Sequence, residues 1–443
     1  MAYDNKQQHS IWEWIFQGHL DPDHELVRLA ARIDWAAITE RLSRYYSRRG
    51  RRAKAVRLMV GLHCLKHLQD LSDEEVTRGL HENIYWMHFC GVPLERFGTA
   101  GAQRWLDAST LTRFRKRMGA SGMQEVERII QEQLITARQM RPSLCIADTT
   151  CMEKHIAYPT DTGLLDRGRR KVIALLRKLQ DSGVPVRKIR SYARLGKKAV
   201  ILAAKVAKGK AERLAQSVQS LIRYAQETLQ QVPTVLRATK MRRKATVSRL
   251  VGELTTHAGR LQQVIRQSTA RLSGVHVPHK LYSLHEPEVT CIRKGKSKTP
   301  NEYGCKVALA VDRNYYIVGH REYADNRPDS ETLGDVLAQW EDAFDRPPNG
   351  IAADRGYHQP DDQMPPIPKV SIPRKGKTKG PDERFPWFRR MQRLRAGIEA
   401  VISHLKQDHR MNRSRYKGLD GDRINATLAV TAWNLRKWAM QAG

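Results

Sequence analysis

SLCIADTT, residues Ser143–Thr150, is a short apolar run that ends in a carboxylate and then in two threonines. It has the length of a strand and no helical period. The same signature returns at Gly350–Asp354 (GIAAD), again with an aspartate at its end. Between the two, Tyr303–Asp312 (YGCKVALAVD) and Tyr315–Tyr323 (YYIVGHREY) read as strands joined by a tight turn at Arg313–Asn314. A helix is expected from about Asp329 to Phe344, with Asp329 or Ser330 as its cap. Beyond GIAAD, Lys369–Pro373 (KVSIP) reads as a fifth strand. Helices over about 390–408 and 422–440 follow.

Strand, hairpin, helix, strand, helix is the order of an RNase H-like α/β domain with a mixed five-stranded sheet. Upstream, residues 1–138 read as an all-α domain. Val56, Met59, Val60, Leu62 and Leu65 recur at helical spacing, and Ser72 with Glu75 forms a capping box. Asp107 is the expected N-cap of a helix carrying Leu111 and Phe114, with Arg113, Arg115, Lys116 and Arg117 on its other faces. Residues 139–164 and 274–443 make up the expected α/β catalytic domain. Residues 165–273 read as a helical insertion with almost no strand signal, broken at Gly183–Pro185 and at Val232–Pro233.

Charge points to the partner. The chain carries 78 Lys+Arg against 46 Asp+Glu, a formal net charge of +32. The insertion alone holds 26 basic and 5 acidic residues, so 21 of that excess sits there. So much like charge repels itself unless phosphates neutralise it. With only Tyr192 and Tyr224 as aromatics, the segment suits contact with a duplex backbone rather than base stacking. The polar N-terminus, Met1–Ser10, gives no secretory signal, and no run of about 18 apolar residues predicts a membrane span. The six cysteines lack zinc spacing and read as reduced packing residues. A cytoplasmic protein, nucleoid-associated when bound to DNA, is the expectation.

Three acids stand out by placement. Asp148 ends the first strand, Asp354 ends the fourth, and Glu399 lies on the helix after the fifth. First and fourth strands are neighbours in an RNase H-like sheet, and a helix across that edge can add Glu399. Clustered carboxylates repel one another unless a cation intervenes, and hard oxygen donors select Mg²⁺ or Mn²⁺. Two such ions, about 3.5–4 Å apart, suit in-line phosphoryl transfer. Each acid alone is weak evidence, since strand-end aspartates are usually turn formers or caps. Arg395, Glu399 and Lys406 add local support. At about 100° per residue they share one narrow arc of a helix, beside the apolar stripe Ile398, Val401, Ile402 and Leu405.

In their order along the chain these motifs resemble the bacterial insertion-sequence transposases of the DDE type, in the group typified by insertion sequence number five. DASTLTRFRKR (Asp107–Arg117) resembles the end of the family's N-terminal helical domain, and IADTT (Ile146–Thr150) its first catalytic strand. HIAYPTDTGLL (155–165), ADNRPDS (324–330) and AWNLRKW (432–438) are similar to later segments. ADRGYH (353–358) resembles the second catalytic motif, and Arg395, Glu399 and Lys406 fit the R(3)E(6)K signature. The sequence departs from related families at Gln392, where a tyrosine is usual, and in the position of its basic insertion.

The resemblance implies metal-dependent hydrolysis at transposon ends and transfer of the freed 3′-hydroxyl into target DNA. Asp148, Asp354 and Glu399 would hold two Mg²⁺ ions, with Mn²⁺ able to substitute. Lys406, Arg395 and Arg355 would contact DNA near the site, and Arg113, Arg115, Lys116 and Arg117 would recognise the terminal inverted repeats. His358 could approach the scissile bond and Asp161 could support the metal ligands. A homodimer is implied, because two ends are handled together. Two other readings are a nuclease of the same fold that cuts without joining, and a nucleic-acid-binding relative with a decayed site.

Overall fold

A computed structural model describes residues 18, 20–47, 53–93, 106–186, 188–205, 211–239, 244–293, 301–360, 363–364, 366–376 and 380–441. Met1–Ser10 lies outside the described residues. The chain divides into two units, one formed by residues 1–154 and 294–443 and the other by residues 155–293.

The first unit is built on five strands, β1 (Cys145–Lys154), β2 (Asn301–Val311), β3 (Ile317–Tyr323), β4 (Ile351–Ala352) and β5 (Val370–Ser371). Their order is β3-β2-β1-β4-β5, with antiparallel pairing on the β2 side of β1 and parallel pairing on the β4 side. The two-residue strand Arg413–Ser414 lies parallel to the end of β1, so the sheet exceeds the five strands expected. β1 also runs on past Asp148, which the sequence placed at its end. The ladder to β2 continues from Ile146↔Val311 to Glu153↔Gly304, and this pairing keeps the polar half of the strand extended.

Alternation along β1 and β2 sorts the sheet's two faces. Cys145, Ala147, Ala308 and Ala310 join the cluster formed with the N-terminal helices and the helix Leu333–Phe344. Ile146, Met152, Val307, Leu309 and Val311 join the opposite cluster, with Ile398, Val401 and Leu405. Both faces are covered, which is why β2 reads as a continuous apolar run. Asp148 shares the parity of Ile146 and faces the helix of Leu405. Thr149 faces the other side.

The N-terminal helices share their core with the sheet. Val56–Leu68 is buried along almost its whole length, and Ser72 and Glu75 form the expected capping box, at 3.1 and 2.7 Å. Asp107 caps the helix Ala108–Thr136, which is interrupted at Gly119 (φ 63°). Between that helix and β3, the buried His320 ring lies 2.9 Å from Glu127 and 2.6 Å from Glu322. Burial alone would discharge the ring, yet the two carboxylates hold its pKa well above the ordinary value.

The second unit packs the helices Asp161–Asp181, Ala193–Ala204, Ala211–Leu229, Val232–Thr239 and Ala245–Leu272 around its own apolar core. Its apolar positions, including Leu176, Leu221 and Leu254, recur on the inner faces. The cations lie outside, among them Arg177, Lys197, Lys198 and Arg266. Arg169 is an exception, buried and paired with Asp166 at 2.5 Å. Among the described residues no helix is long and apolar enough to cross a membrane, and no cysteine is paired.

Candidate active site

The parallel register sets the first two acids in step. Cys145 pairs with Ile351 and Ile146 with Ala352, so Asp148 and Asp354 each lie two residues beyond the last pair. Asp354 leaves the sheet at once. Its Oδ1 accepts the Gly356 N–H at 2.7 Å and caps the short turn Arg355–Tyr357. Asp148 stays in the strand, where its Oδ1 accepts the Thr149 N–H at 2.7 Å. Burial pushes the Asp148 carboxyl up to about 6. The Asp354 and Asp329 carboxylates add to the rise, while the Thr149 N–H and Arg395 oppose it.

Glu399 comes from a helix that differs from expectation. The predicted continuous helix over 390–408 is two, Pro386–Ala396 and Ile398–Gln407, meeting at Gly397. The reason is Tyr315, whose hydroxyl donates to the Leu394 carbonyl at 2.9 Å. A Cβ on Gly397 would stand 2.3 Å from the Tyr315 hydroxyl oxygen, closer than any side chain tolerates. Arg395 and Glu399 therefore flank the break. The Arg395 guanidinium lies 3.7 Å from Asp148 Oδ2 and 3.2 Å from Glu399 Oε1, and so links the half-buried acid to the exposed one. The Glu399 side chain is 68% exposed, against 16% for Asp148. Among the described residues no three acidic, histidine or cysteine side chains stand close enough to enclose an ion. The candidate donors are nonetheless all oxygen, and a hard divalent cation would offset both the burial that chiefly raises Asp148 and the smaller repulsion from Asp354 and Asp329. Asp148 and Asp354 thus offer oxygen donors of the kind such an ion takes, while Glu399 stands apart from them, on the other side of Arg395.

Sequence reasoning missed Asp329, taken there for a helix cap. A short 3-10 turn (Asp329–Thr332) precedes the helix, and the Asp329 side chain caps nothing. Its Oδ1 accepts the Thr149 hydroxyl at 2.7 Å and pairs with Lys306 at 2.6 Å. Only the ADNRPDS motif hinted at it. Gln392, the departure from the tyrosine pattern, donates to the Ala353 carbonyl at 3.1 Å and to the Ser371 carbonyl at 2.5 Å. It ties the first of the two helices to the ends of β4 and β5, next to Asp354.

The candidate DNA contacts divide. Arg113, Lys116, Arg117 and Arg355 are exposed and Lys406 is half-buried. Arg115 is not at the surface, where the sequence reading put it. It is buried, and its guanidinium grips Asp73 at 2.9 and 2.5 Å beside Lys66. Facing opposite Arg113 on a packed helix, it serves the core. Asp161 opens the helix Asp161–Asp181 in the second unit and pairs with Arg271 at 2.9 Å. His358 is half-buried.

Comparison with known proteins bears on this geometry. Residues 15–117 match the family described as Transposase domain (DUF772), and residues 274–435 match the Transposase DDE domain. The second match contains Asp354 and Glu399; Asp148 and most of the basic unit lie outside both. The chain is 40% identical over 200 residues to an uncharacterised protein, ORF8 of the nfe locus of Rhizobium meliloti, across 44% of this chain and 92% of that one. No solved structure matches. With both transposase domains matched in order along the chain, the chain belongs to the insertion-sequence transposases of the DDE type.

Proposed function

We propose that this transposase cuts DNA at the ends of its own element and joins the freed 3′-hydroxyl to target DNA, with Asp148, Asp354 and Glu399 as its metal ligands on an RNase H-like sheet. The observation that carries the reading is that Asp148 and Asp354 each stand two residues beyond the last pair of the adjacent parallel strands β1 and β4, with Arg395 leading from Asp148 to Glu399. DDE transposases bind DNA and use divalent metal ions. When bound, two Mg²⁺ or Mn²⁺ ions supply Lewis acidity for in-line displacement at phosphorus. Asp148 and Asp354 offer fixed carboxylate oxygens from the sheet, and Glu399 closes the set from its helix. Lys406, two turns after Glu399, holds a phosphate of the terminal base pairs, and Arg355 meets the backbone from the turn beside Asp354. In the first step water forms a P–O bond and the 3′-oxygen leaves. In the second that 3′-oxygen forms the new bond and a target oxygen leaves.

Arg113, Lys116 and Arg117 contact the terminal repeat, and the second unit neutralises duplex phosphates. Two copies of the chain hold the two ends. The test is cleavage of a labelled duplex bearing the element's terminal repeat, with Mg²⁺, Mn²⁺ or EDTA. Metal-dependent nicking at the repeat boundary, lost in Glu399→Gln, is expected. Binding without cleavage under every condition would point instead to an inactive relative.

A further inference from the structure

We infer that Asp329 is a positioning residue for the metal site, acting through Thr149 on Asp148 and through Gly356 on Asp354. The inference rests on the reading of Asp148 and Asp354 as metal ligands.

Thr149 is the joint between Asp148 on β1 and the turn at Asp329. Its backbone N–H fixes Asp148 Oδ1 at 2.7 Å. Its hydroxyl, on the opposite face of the strand, donates to Asp329 Oδ1 at 2.7 Å. The same Oδ1 pairs with Lys306 Nζ at 2.6 Å, and that ammonium also donates to the Arg327 carbonyl at 2.6 Å. Lys306 is buried on β2, opposite Cys151. Asp329 is thus anchored to both central strands, and its own charge is balanced before any cation arrives.

Its second oxygen, Oδ2, faces the Asp354 turn. A Cβ placed on Gly356 would stand 2.9 Å from Asp329 Oδ2 and 2.9 Å from Asp354 Oδ1. Only glycine lets the two carboxylates approach across that point. Gln359 donates to the Ser330 carbonyl at 2.5 Å, a second tie between the two turns. Thr332, whose hydroxyl closes the Asp329 turn at 2.7 Å, holds that turn's shape. Asp329 therefore sets the spacing of the two ligand-bearing segments without needing to bind the ion. Groups that orient ligands in this way typically change metal affinity about 10–100-fold when removed.

The experiment measures Mn²⁺ affinity of the full chain without DNA, by titration of the free-ion electron paramagnetic resonance signal. Asp329→Ala and Thr149→Val should each weaken binding by about 10-fold or more. Thr149→Ser should bind as the parent does. The double variant should be no weaker than the weaker single, because both remove one shared interaction. Thr149→Val is nearly isosteric and keeps the test valid should Asp329→Ala fail to fold. Parent-like affinity in Thr149→Val would overturn the inference, and with Asp329→Ala impaired would make Asp329 a direct ligand. Asp148→Asn separates the two layers. If it loses Mn²⁺ while Asp329→Ala and Thr149→Val do not, positioning by Asp329 is wrong and the metal site stands. If Asp148→Asn binds as the parent does, the metal-site reading falls and this inference with it.

Discussion

Asp148→Asn should make the metal-free protein more stable at neutral pH, and by an amount the site itself fixes. Burial, with help from Asp354 and Asp329, raises the Asp148 carboxyl from 3.8 to about 6. The native state therefore holds this proton more tightly than the unfolded chain does. Stability contributed by the protonated group is fully present below pH 4 and is lost as pH rises from about 4 to about 6. At 1.36 kcal/mol per pH unit the loss is about 3 kcal/mol. Asparagine has no charge to desolvate, and its carbonyl can still accept the Thr149 N–H. In EDTA at pH 8, Asp148→Asn should therefore exceed the parent by up to about 3 kcal/mol, and the two should converge below pH 4.

Denaturant unfolding followed by tryptophan fluorescence is the assay. All nine tryptophans lie outside residues 155–293, so the signal reports the sheet unit alone. Adding Mn²⁺ should reverse the ranking, since an ion bound only to the folded parent stabilises it by mass action. A parent as stable as the variant at pH 8 would refute the reasoning. So would an advantage that persists unchanged at pH 3.5, because that gain would not come from the carboxylate's charge.

Gly397→Ala should cost about 1–3 kcal/mol by overpacking against Tyr315 and should slow nicking more than it weakens DNA binding, as separate melting, cleavage and filter-binding measurements would reveal. Arg115→Ala should destabilise by about 1–3 kcal/mol, because half-buried Asp73 keeps Lys66 but loses the two guanidinium hydrogen bonds, whereas Arg113→Ala should weaken DNA binding and shift unfolding by less than about 0.5 kcal/mol. Replacing Lys197, Lys198 and Lys205 together with glutamine should lower the slope of log affinity against log salt by up to about 3, at roughly 0.9 per lost phosphate contact; an unchanged slope would remove these lysines from the DNA interface.

The two central strands were legible because β1 and β2 are buried on both faces, which leaves an apolar run no helix would show; the two-residue strand Arg413–Ser414 is too short to leave such a run. The capping box at Ser72 and the cap at Asp107 were legible because they are local. What sequence could not reach is set across the fold. Helical spacing predicts one helix over 390–408, and nothing near Gly397 announces that Tyr315, some eighty positions earlier, blocks it. Arg115 sits among three other cations and reads as surface until Asp73 is found against it. Asp329 has the composition and position of a cap, and only the approach of Thr149 and Lys306 gives it another task.

The same distinction bears on why Glu399 rests in solvent while Asp148 is half-buried in the sheet. Asp148 is fixed by its strand and cannot leave the repulsion of its neighbours. Glu399 lies on the exposed face of its helix, where Arg395 meets it at 3.2 Å. That ion pair is mostly exposed, and such pairs contribute only about 0–1 kcal/mol. Releasing it is therefore cheap beside the repulsion a divalent cation would relieve at Asp148. Arg395, freed from Glu399, would still lie near Asp148 and could turn toward a DNA phosphate. On the reading proposed here the resting geometry does not oppose closure of the ligand set. It holds two acids fixed and leaves the third to follow the charge.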